Sequence, residues 1–313
     1  MMGDETYTPE EVAKLLKISK YTVYEMVKRG ELRSYRIGNK VRVDQEDLQA
    51  FIEMKKGPSS VEPTSEGAQP RPINHPSAIL RLAGSHDFLV EHLVQYLSTN
   101  SPSLSLHASY IGSLEGLMML HRGLTDVAAI HLLDPHTGDY NIPFIERIFI
   151  QEPIRVVHLA KRNQGFIVAR ENPKKIKDWT DLTRGDIRFV NRQKGSGTRF
   201  LLDHHLSKKG IATADVMGYE NEEWNHFASA SAVARGAADV TLGIESAAAR
   251  MGLTFIPLAE ERFDLIVRLT PQNQEVWELF YSILCSLDFR KSLHEFEGYD
   301  FSRLGEIIIE NIS

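Results

Sequence analysis

Residues 57–77, GPSSVEPTSEGAQPRPINHPS, hold five of the chain's thirteen prolines together with two glycines and four serines. Such a segment has too little apolar surface to offset the entropy of ordering it, which predicts an exposed, partly extended linker. It divides the 313 residues into a head, 1–56, and a body, 78–313. With 42% hydrophobic and 25% charged residues, the composition is that of globular domains and excludes collagen-like, coiled-coil and wholly disordered chains. No run approaches the roughly 18 apolar residues of a membrane helix. Met1 to Tyr7 show no basic segment followed by an apolar one, so no secretory signal is expected. One cysteine allows neither an internal disulfide nor a cysteine-based zinc site. These features predict a cytoplasmic protein that does not engage membranes.

Charge is distributed unevenly. The net charge is −6, yet the head carries 11 Lys and Arg against 10 Asp and Glu, and residues 14–42 carry nine basic against two acidic. A local excess of +7 within an acidic chain points to a face that binds a polyanion.

In the head, Thr8-Pro9-Glu10-Glu11 places a hydroxyl at a helix cap, proline at the first helical position and glutamate three residues after the cap. This capping box opens a helix whose expected apolar residues are Val12, Leu15 and Leu16. After a tight break at 17–19, Ser19 can cap a second helix over 20–29, which Gly30 ends. That helix exposes Lys20, Tyr21, Thr22, Tyr24, Glu25 and Lys28, with Val23, Met26 and Val27 as its core stripe. Next, 32–37 and 40–43 alternate about Gly38-Asn39, a pair suited to a two-residue hairpin. Its outward side is expected to carry Arg36, Lys40 and Arg42, and Asp44 to Asp47 cap a third helix bearing Leu48, Phe51 and Ile52. This order of elements, over Tyr7 to about Met54, resembles the excisionase-type winged helix-turn-helix. The resemblance implies that the second helix enters the major groove of double-stranded DNA and the wing contacts phosphates. The DNA-binding candidates are Lys20, Tyr21, Thr22, Tyr24, Lys28, Arg36, Lys40 and Arg42.

The body alternates apolar runs with helical patterns, as α/β domains do. Strands at 79–82, near 104–108 and at 127–130 end at Ser85, near Ser113 and at His131, and open α/β sheets bind ligands at such edges. Both serines precede helices, so hydroxyls and free backbone N–H groups are expected to converge there. A second cluster, FVNRQKGSGTR at 189–199, leads a strand through a Gly-rich turn into a helix. Successive N–H groups of such a turn can face an anion, although the spacing is not that of a P-loop. "GSHD", "GSLEGLMMLHRGLTDVAAIHLLD", "FVNRQKGSGTR" and "ASASAVARGAADVTLGI" are similar to the type II periplasmic-binding-protein fold. They resemble both the cytoplasmic domain of that fold found beside molybdenum-cofactor biosynthesis enzymes and molybdate and tungstate receptors. The resemblance implies an α/β domain of two lobes, the first 78–164 plus 262–313 and the second 165–261, with hinges near Gln164-Gly165 and Glu261-Arg262. It carries ligand roles onto Ser85, Ser113, Ser196, Gly197 and Thr198, with His86, His131, Arg192 and Ser229 as further candidates. Receptors of this class often use neutral donors, so the arginines are expected to brace loops through ion pairs.

Other signals point away from catalysis. His204 and His205 are adjacent and cannot share a metal as an i,i+4 pair does. Cys285 ends an amphipathic helix, and Asp134 to Asp139 reads as a turn. No Ser/His/Asp set is recognisable, so an enzyme is not expected, and no cofactor is required. A one-component transcriptional regulator follows: a homodimer on DNA whose effector is a small oxyanion, molybdate-like or tungstate-like. The alternative is an accessory binding protein for a molybdenum species or a pterin cofactor, with the head as an interaction module.

Overall fold

The computed structural model describes residues 6–16, 23, 26, 27, 32, 34–37, 40–45, 47–49, 51 and 78–311. It separates into two compact units, 1–71 and 72–313.

In the first unit, β1 (Thr6–Tyr7) leads into α1 (Pro9–Leu16), followed by β2 (Tyr35–Ile37) and β3 (Lys40–Asp44). The Thr8 Oγ1 accepts from the Glu11 N–H at 3.2 Å, and the Glu11 carboxylate accepts from the Thr8 N–H at 2.7 Å, so the capping box forms in both directions. Pro9, Val12, Ala13 and Leu16 follow i, i+3, i+4, i+7 spacing. The first three are buried, and Leu16 packs on the core of Val12, Ala13, Val23, Leu32, Val43, Leu48 and Phe51. Leu15 falls off that stripe and is 57% exposed, contrary to expectation. Met26 and Val27 join the same core as expected.

The hairpin pairs Tyr35 with Arg42, Arg36 with Val41 and Ile37 with Lys40, the register of a two-residue connection. β1 adds a third strand on β3, an unforeseen pairing. Directly opposed residues share a face of a sheet and successive ones alternate. Arg42 therefore lies on the face opposite Val41; the side chains of Arg36 and Lys40 are not among those described. Lys20, Tyr21, Thr22, Tyr24, Lys28 and the linker 57–77 lie outside the described residues.

The second unit begins with β4 (Ala78–Gly84), α2 (Phe88–Asn100), β5 (Leu104–Tyr110), α3 (Ser113–His121), β6 (Val127–Ile130) and α4 (Ile142–Ile148). β7 (Ile154–Val168) leads to β8 (Phe189–Arg192), α5 (Gly197–Lys208), β9 (Glu222–Glu223), α6 (His226–Ala234), β10 (Val240–Ile244) and α7 (Glu245–Arg250). The chain closes with β11 (Thr254–Arg268), α8 (Gln274–Leu284), α9 (Leu287–Lys291), β12 (Tyr299–Asp300) and β13 (Ile307–Asn311). The main sheet runs β5-β4-β6-β11-β7-β10-β8-β9, with β12 and β13 also on β7.

β7 and β11 organise this unit. Each is 15 residues, about 50 Å at roughly 3.3 Å per residue. They pair antiparallel from Thr254 opposite Val168 to Arg268 opposite Ile154, with register shifts at Pro257/Ala259 and Phe263/Asp264. Residues 264–267 of β11 also pair with β6, and residues 164–168 of β7 with β10. The pair therefore serves a parallel β5-β4-β6 set at one end and a parallel β10-β8-β9 set at the other. This is the expected two-lobed α/β fold.

Each lobe has its own core. Leu80, Leu89, Leu93 and Leu97 pack with Trp277, Phe280, Phe289 and Leu304, so segments after β11 return to the first lobe. Phe166, Trp179, Leu182, Phe189 and Leu202 form the core of the second. At the end of β4, Gly84 has φ +148°, and a Cβ there would lie 2.2 Å from the Ala129 carbonyl oxygen. Glycine thus lets the chain turn sharply into Ser85-His86-Asp87. Among the described residues no helix is long and apolar enough to cross a membrane.

Candidate functional site

The residues singled out in the body are buried: Ser85, His86, Ser113, His131, Arg192, Ser196, Thr198 and Ser229. The groove of about 630 Å³ between α2, α7 and the turn at 292–297 contains none of them.

On the first lobe, the Ser85 N–H donates to the Ala129 carbonyl at 2.9 Å and is not free as expected. Nor does Ser85 cap a helix. Asp87 does so, its carboxylate accepting from the Leu89 N–H at 2.7 Å, which occupies the positive end of α2. Ser85 instead directs its Oγ to the His131 Nε2, 2.9 Å away. His131 Nδ1 lies 2.8 Å from Glu261 Oε2, and the His131 N–H donates to the Ser113 Oγ at 3.3 Å. His86 Nε2 meets Glu91 at 2.8 Å, with the ring edge-on to Phe88 and Tyr110.

On the second lobe, Ser196 caps α5 by accepting from the Arg199 N–H at 3.2 Å. The N–H groups of Gly197 and Thr198, first in that helix, have no partner within it. Thr198 Oγ1 accepts from Gln164 Nε2 at 3.3 Å, and Gln164 Nε2 also donates to Glu261 at 3.0 Å. The Ser229 hydroxyl donates to the His226 carbonyl at 3.1 Å, which turns it inward along α6. The lobes meet closely. The Leu114 N–H, at the start of α3, donates to the Gly195 carbonyl at 3.2 Å. A Cβ on Gly197 would lie 2.3 Å from the His131 carbonyl oxygen and 2.5 Å from its Nδ1, so only glycine permits that approach.

Arginines divide into two kinds, and the expectation that all brace loops through ion pairs holds for some only. Arg199 pairs with Glu222 at 2.9 Å, donates to the Arg192 carbonyl at 3.1 Å and covers the Tyr219 ring. Arg162, fully buried in β7, bridges Asp87 and Glu261 and lies over Phe263. Arg192 is also fully buried, but no carboxylate lies within ion-pair distance of it among the described residues. Its Nε and Nη2 donate to the Glu223 and Trp224 carbonyls at 3.3 and 3.2 Å, and its Nη1 has no partner. Burial and the neighbouring Arg162 push its pKa down to about 9, so it stays cationic at neutral pH.

Other buried polar atoms around it also lack partners: His226 Nδ1 and Nε2, His86 Nδ1, Gln193 Oε1 and Gln164 Oε1. Burial, then Arg192 and Arg162, hold the His226 pKa well below its ordinary value, so its ring is neutral. Glu261 is fully buried, which alone raises its pKa, yet Arg162 and then His131 hold it down to about 2. A cationic group with an open donor, beside neutral donors, can receive a small anion.

Arg162, Gln164, Asp87, Glu261 and His226 were not among the predicted ligand residues; Gln164 and Glu261 stood only at the expected hinges. For Arg162, Gln164 and Glu261 the signal is polar residues inside apolar strand runs, LAKRNQGFIV at 159–168 and LAEERFDLIV at 258–267. A charge in such a run must find a buried partner. His205 stacks on Trp179 at 4.4 Å, and burial pushes its pKa down to about 4. Asp134 closes its turn by accepting from the His136 N–H.

The model of the PBP superfamily domain matches residues 94–284. The chain belongs to the PBP superfamily. A helix-turn-helix domain model matches residues 6–56, so this PBP-superfamily chain carries that domain at its head. It is 37% identical over 313 residues to the uncharacterized protein YvgK of Bacillus subtilis, covering 99% of this chain and 100% of that one. An uncharacterized protein of Clostridium pasteurianum, in the 5′ region of a 2Fe-2S ferredoxin gene, is 36% identical over 111 residues, 35% of this chain and 98% of that one. Among solved structures, a putative phosphate ABC transporter substrate-binding protein with bound phosphate, from Clostridium perfringens, is 16% identical. It aligns over 68% of this chain and 95% of its own with a TM-score of 0.52. The regulatory domain of Synechocystis CcmR in complex with 2-PG is 16% identical over 67% of this chain and 99% of its own, with a TM-score of 0.50. At these identities the likeness is one of fold.

Proposed function

We propose that this PBP-superfamily chain is a one-component, ligand-responsive transcriptional regulator. Its head, of excisionase type, binds double-stranded DNA through the second helix and the wing, and its two lobes close on a small oxyanion. Molybdate or tungstate is the leading effector, and no catalytic step is required. The observation that carries the ligand reading is Arg192, a buried guanidinium with an open Nη1 and no carboxylate partner among the described residues, next to the helix start at Ser196-Gly197-Thr198. Ser113 stands on the opposing lobe, where its Oγ accepts from the His131 N–H and its own proton can turn to a ligand. Ligand bias of lobe closure reaches the heads through the linker or a dimer interface. The regulator works in the cytoplasm as a homodimer, because one short recognition helix reads few base pairs.

The test is thermal melting of the full chain with millimolar molybdate, tungstate, phosphate or sulfate, followed by DNA binding with and without the anion that stabilises it. Stabilisation by molybdate or tungstate together with altered DNA affinity supports the reading. No shift with any of these anions refutes the oxyanion. A larger anion, such as a pterin cofactor, is the second reading. Trp224 favours it, since its carbonyl holds Arg192 while the residue is 72% exposed and can stack on a flat ring.

A further inference from the structure

The hydrogen-bond directions at Ser85 deepen the oxyanion reading, on which this inference rests. Glu261, ionised, can only accept, so the His131 nitrogen 2.8 Å from it, Nδ1, carries a proton. In a neutral imidazole the other nitrogen, Nε2, is then an acceptor, and the hydrogen of the Ser85 hydroxyl must point to it across 2.9 Å. Ser85 therefore offers lone pairs and no donor to a ligand. An oxyanion bearing its own proton can donate to that oxygen. A proton-free dianion such as molybdate meets repulsion there unless the relay reverses.

We infer that Glu261, His131 and Ser85 form a proton relay, so that binding of a proton-free oxyanion takes up one proton at His131. The proton goes to His131 Nε2, which then donates to Ser85 Oγ, and the serine hydrogen turns to a ligand oxygen. No other bond changes. An oxyanion that already carries a proton, such as hydrogen phosphate, binds with the relay as it stands.

The charges facing His131 agree with this. They are Glu261 on β11, Arg162 on β7, Arg192 at the end of β8 and His226 on α6; beyond them, in the turn after β4, Asp87 faces Arg162 and His86 faces His226. The formal charges of the two arginines and two carboxylates cancel, so a dianion enters a neutral buried set and a proton offsets half of its charge. In the ligand-free protein, burial holds the His131 pKa below its ordinary value, so the proton is not there beforehand. Ser113, Thr198 and Gln164 are neutral neighbours that cannot supply it.

Calorimetric titration of the full chain at about pH 7.5 and about pH 8.5, in two buffers of different ionisation enthalpy, counts the protons. Sodium molybdate is expected to take up about one proton, with its Kd rising roughly tenfold between the two pH values. Inorganic phosphate, which carries a proton throughout that range, is expected to bind with no net uptake near one proton and with a Kd that changes by less than about twofold. His131→Gln should bind molybdate with one Kd at both pH values. Molybdate binding to the wild type without proton uptake overturns the relay and leaves the oxyanion reading standing. Equal uptake by His131→Gln also overturns it, and the comparison of the two anions on the wild type decides should that variant fail to fold. Failure of both anions to bind at millimolar concentration removes the oxyanion reading, and the relay falls with it.

Discussion

Replacing Arg192 by glutamine tests the ligand site most directly. In the structure this side chain donates to the Glu223 and Trp224 carbonyls and leaves Nη1 open. A hydrogen bond to a charged group contributes about 1.5–3 kcal/mol, so its loss should weaken anion binding by roughly 12-fold to 140-fold. At a ligand concentration of 100 times the wild-type Kd, stabilisation is about 2.7 kcal/mol in the wild type. With the weaker Kd the same concentration supplies between about 1.3 and about 0.3 kcal/mol. At roughly 2–4 °C per kcal/mol for a unit of this size, the melting shift falls from roughly 5–11 °C to roughly 1–5 °C. The assay is differential scanning fluorimetry of both proteins with molybdate and tungstate, alongside Arg199→Gln. Arg199 spends its donors on Glu222 and the Arg192 carbonyl, so its loss should lower the ligand-free melting point and leave most of the ligand shift. A full wild-type shift in Arg192→Gln would refute the reasoning.

Three further outcomes are expected. Glu261→Gln should destabilise the protein by about 3–5 kcal/mol, because it leaves the buried Arg162 with one carboxylate. Since the folded pKa of Glu261 is depressed to about 2, its contribution is complete above the unfolded value near 4.5 and is lost as pH falls from there through about 2. Acid melting curves of the variant should therefore be flatter in that window, and parallel curves would disprove the assignment. Gly197→Ala places a Cβ against the His131 backbone and ring; anion affinity measured by calorimetry should drop at least tenfold, whereas wild-type affinity would show that the lobes need not approach this closely. In the head, Lys20→Ala with Lys28→Ala should weaken specific DNA binding, and Arg42→Ala should reduce the salt slope of binding by about one unit with sequence preference kept; unchanged binding in both variants would remove the groove assignment.

What the sequence discloses is local. Thr8 and Glu11 are three residues apart and their capping box forms as read. The same holds for the Gly-rich turn before α5, set by neighbours within one or two turns. What it conceals depends on distant pairing. Arg162 meets Asp87 across 75 positions, and His131 meets Glu261 across 130. Such partners cannot be matched from spacing, so Ser85 reads as a strand-end serine with a free N–H and hydroxyl when the first is tied to Ala129 and the second to His131. Leu15 misleads for a simpler reason, since a leucine next to a core leucine looks buried until the stripe is laid out from Pro9.

The core of the first lobe depends on Trp277, Phe280, Phe289 and Leu304, whereas the described core of the head lies between Val12 and Phe51. Synthesis runs from the head onward, and domains tend to fold in that order. On a ribosome the helix-turn-helix head is therefore complete while about four-fifths of the chain, and with it the whole PBP-superfamily body, is still unmade or unpaired. A chain interrupted anywhere before residue 304 would carry an address on DNA and no means of answering a ligand. In the homodimeric regulator proposed above, such fragments stay harmless if one head alone holds DNA weakly, which shifts the requirement for tight binding onto the joining of finished bodies.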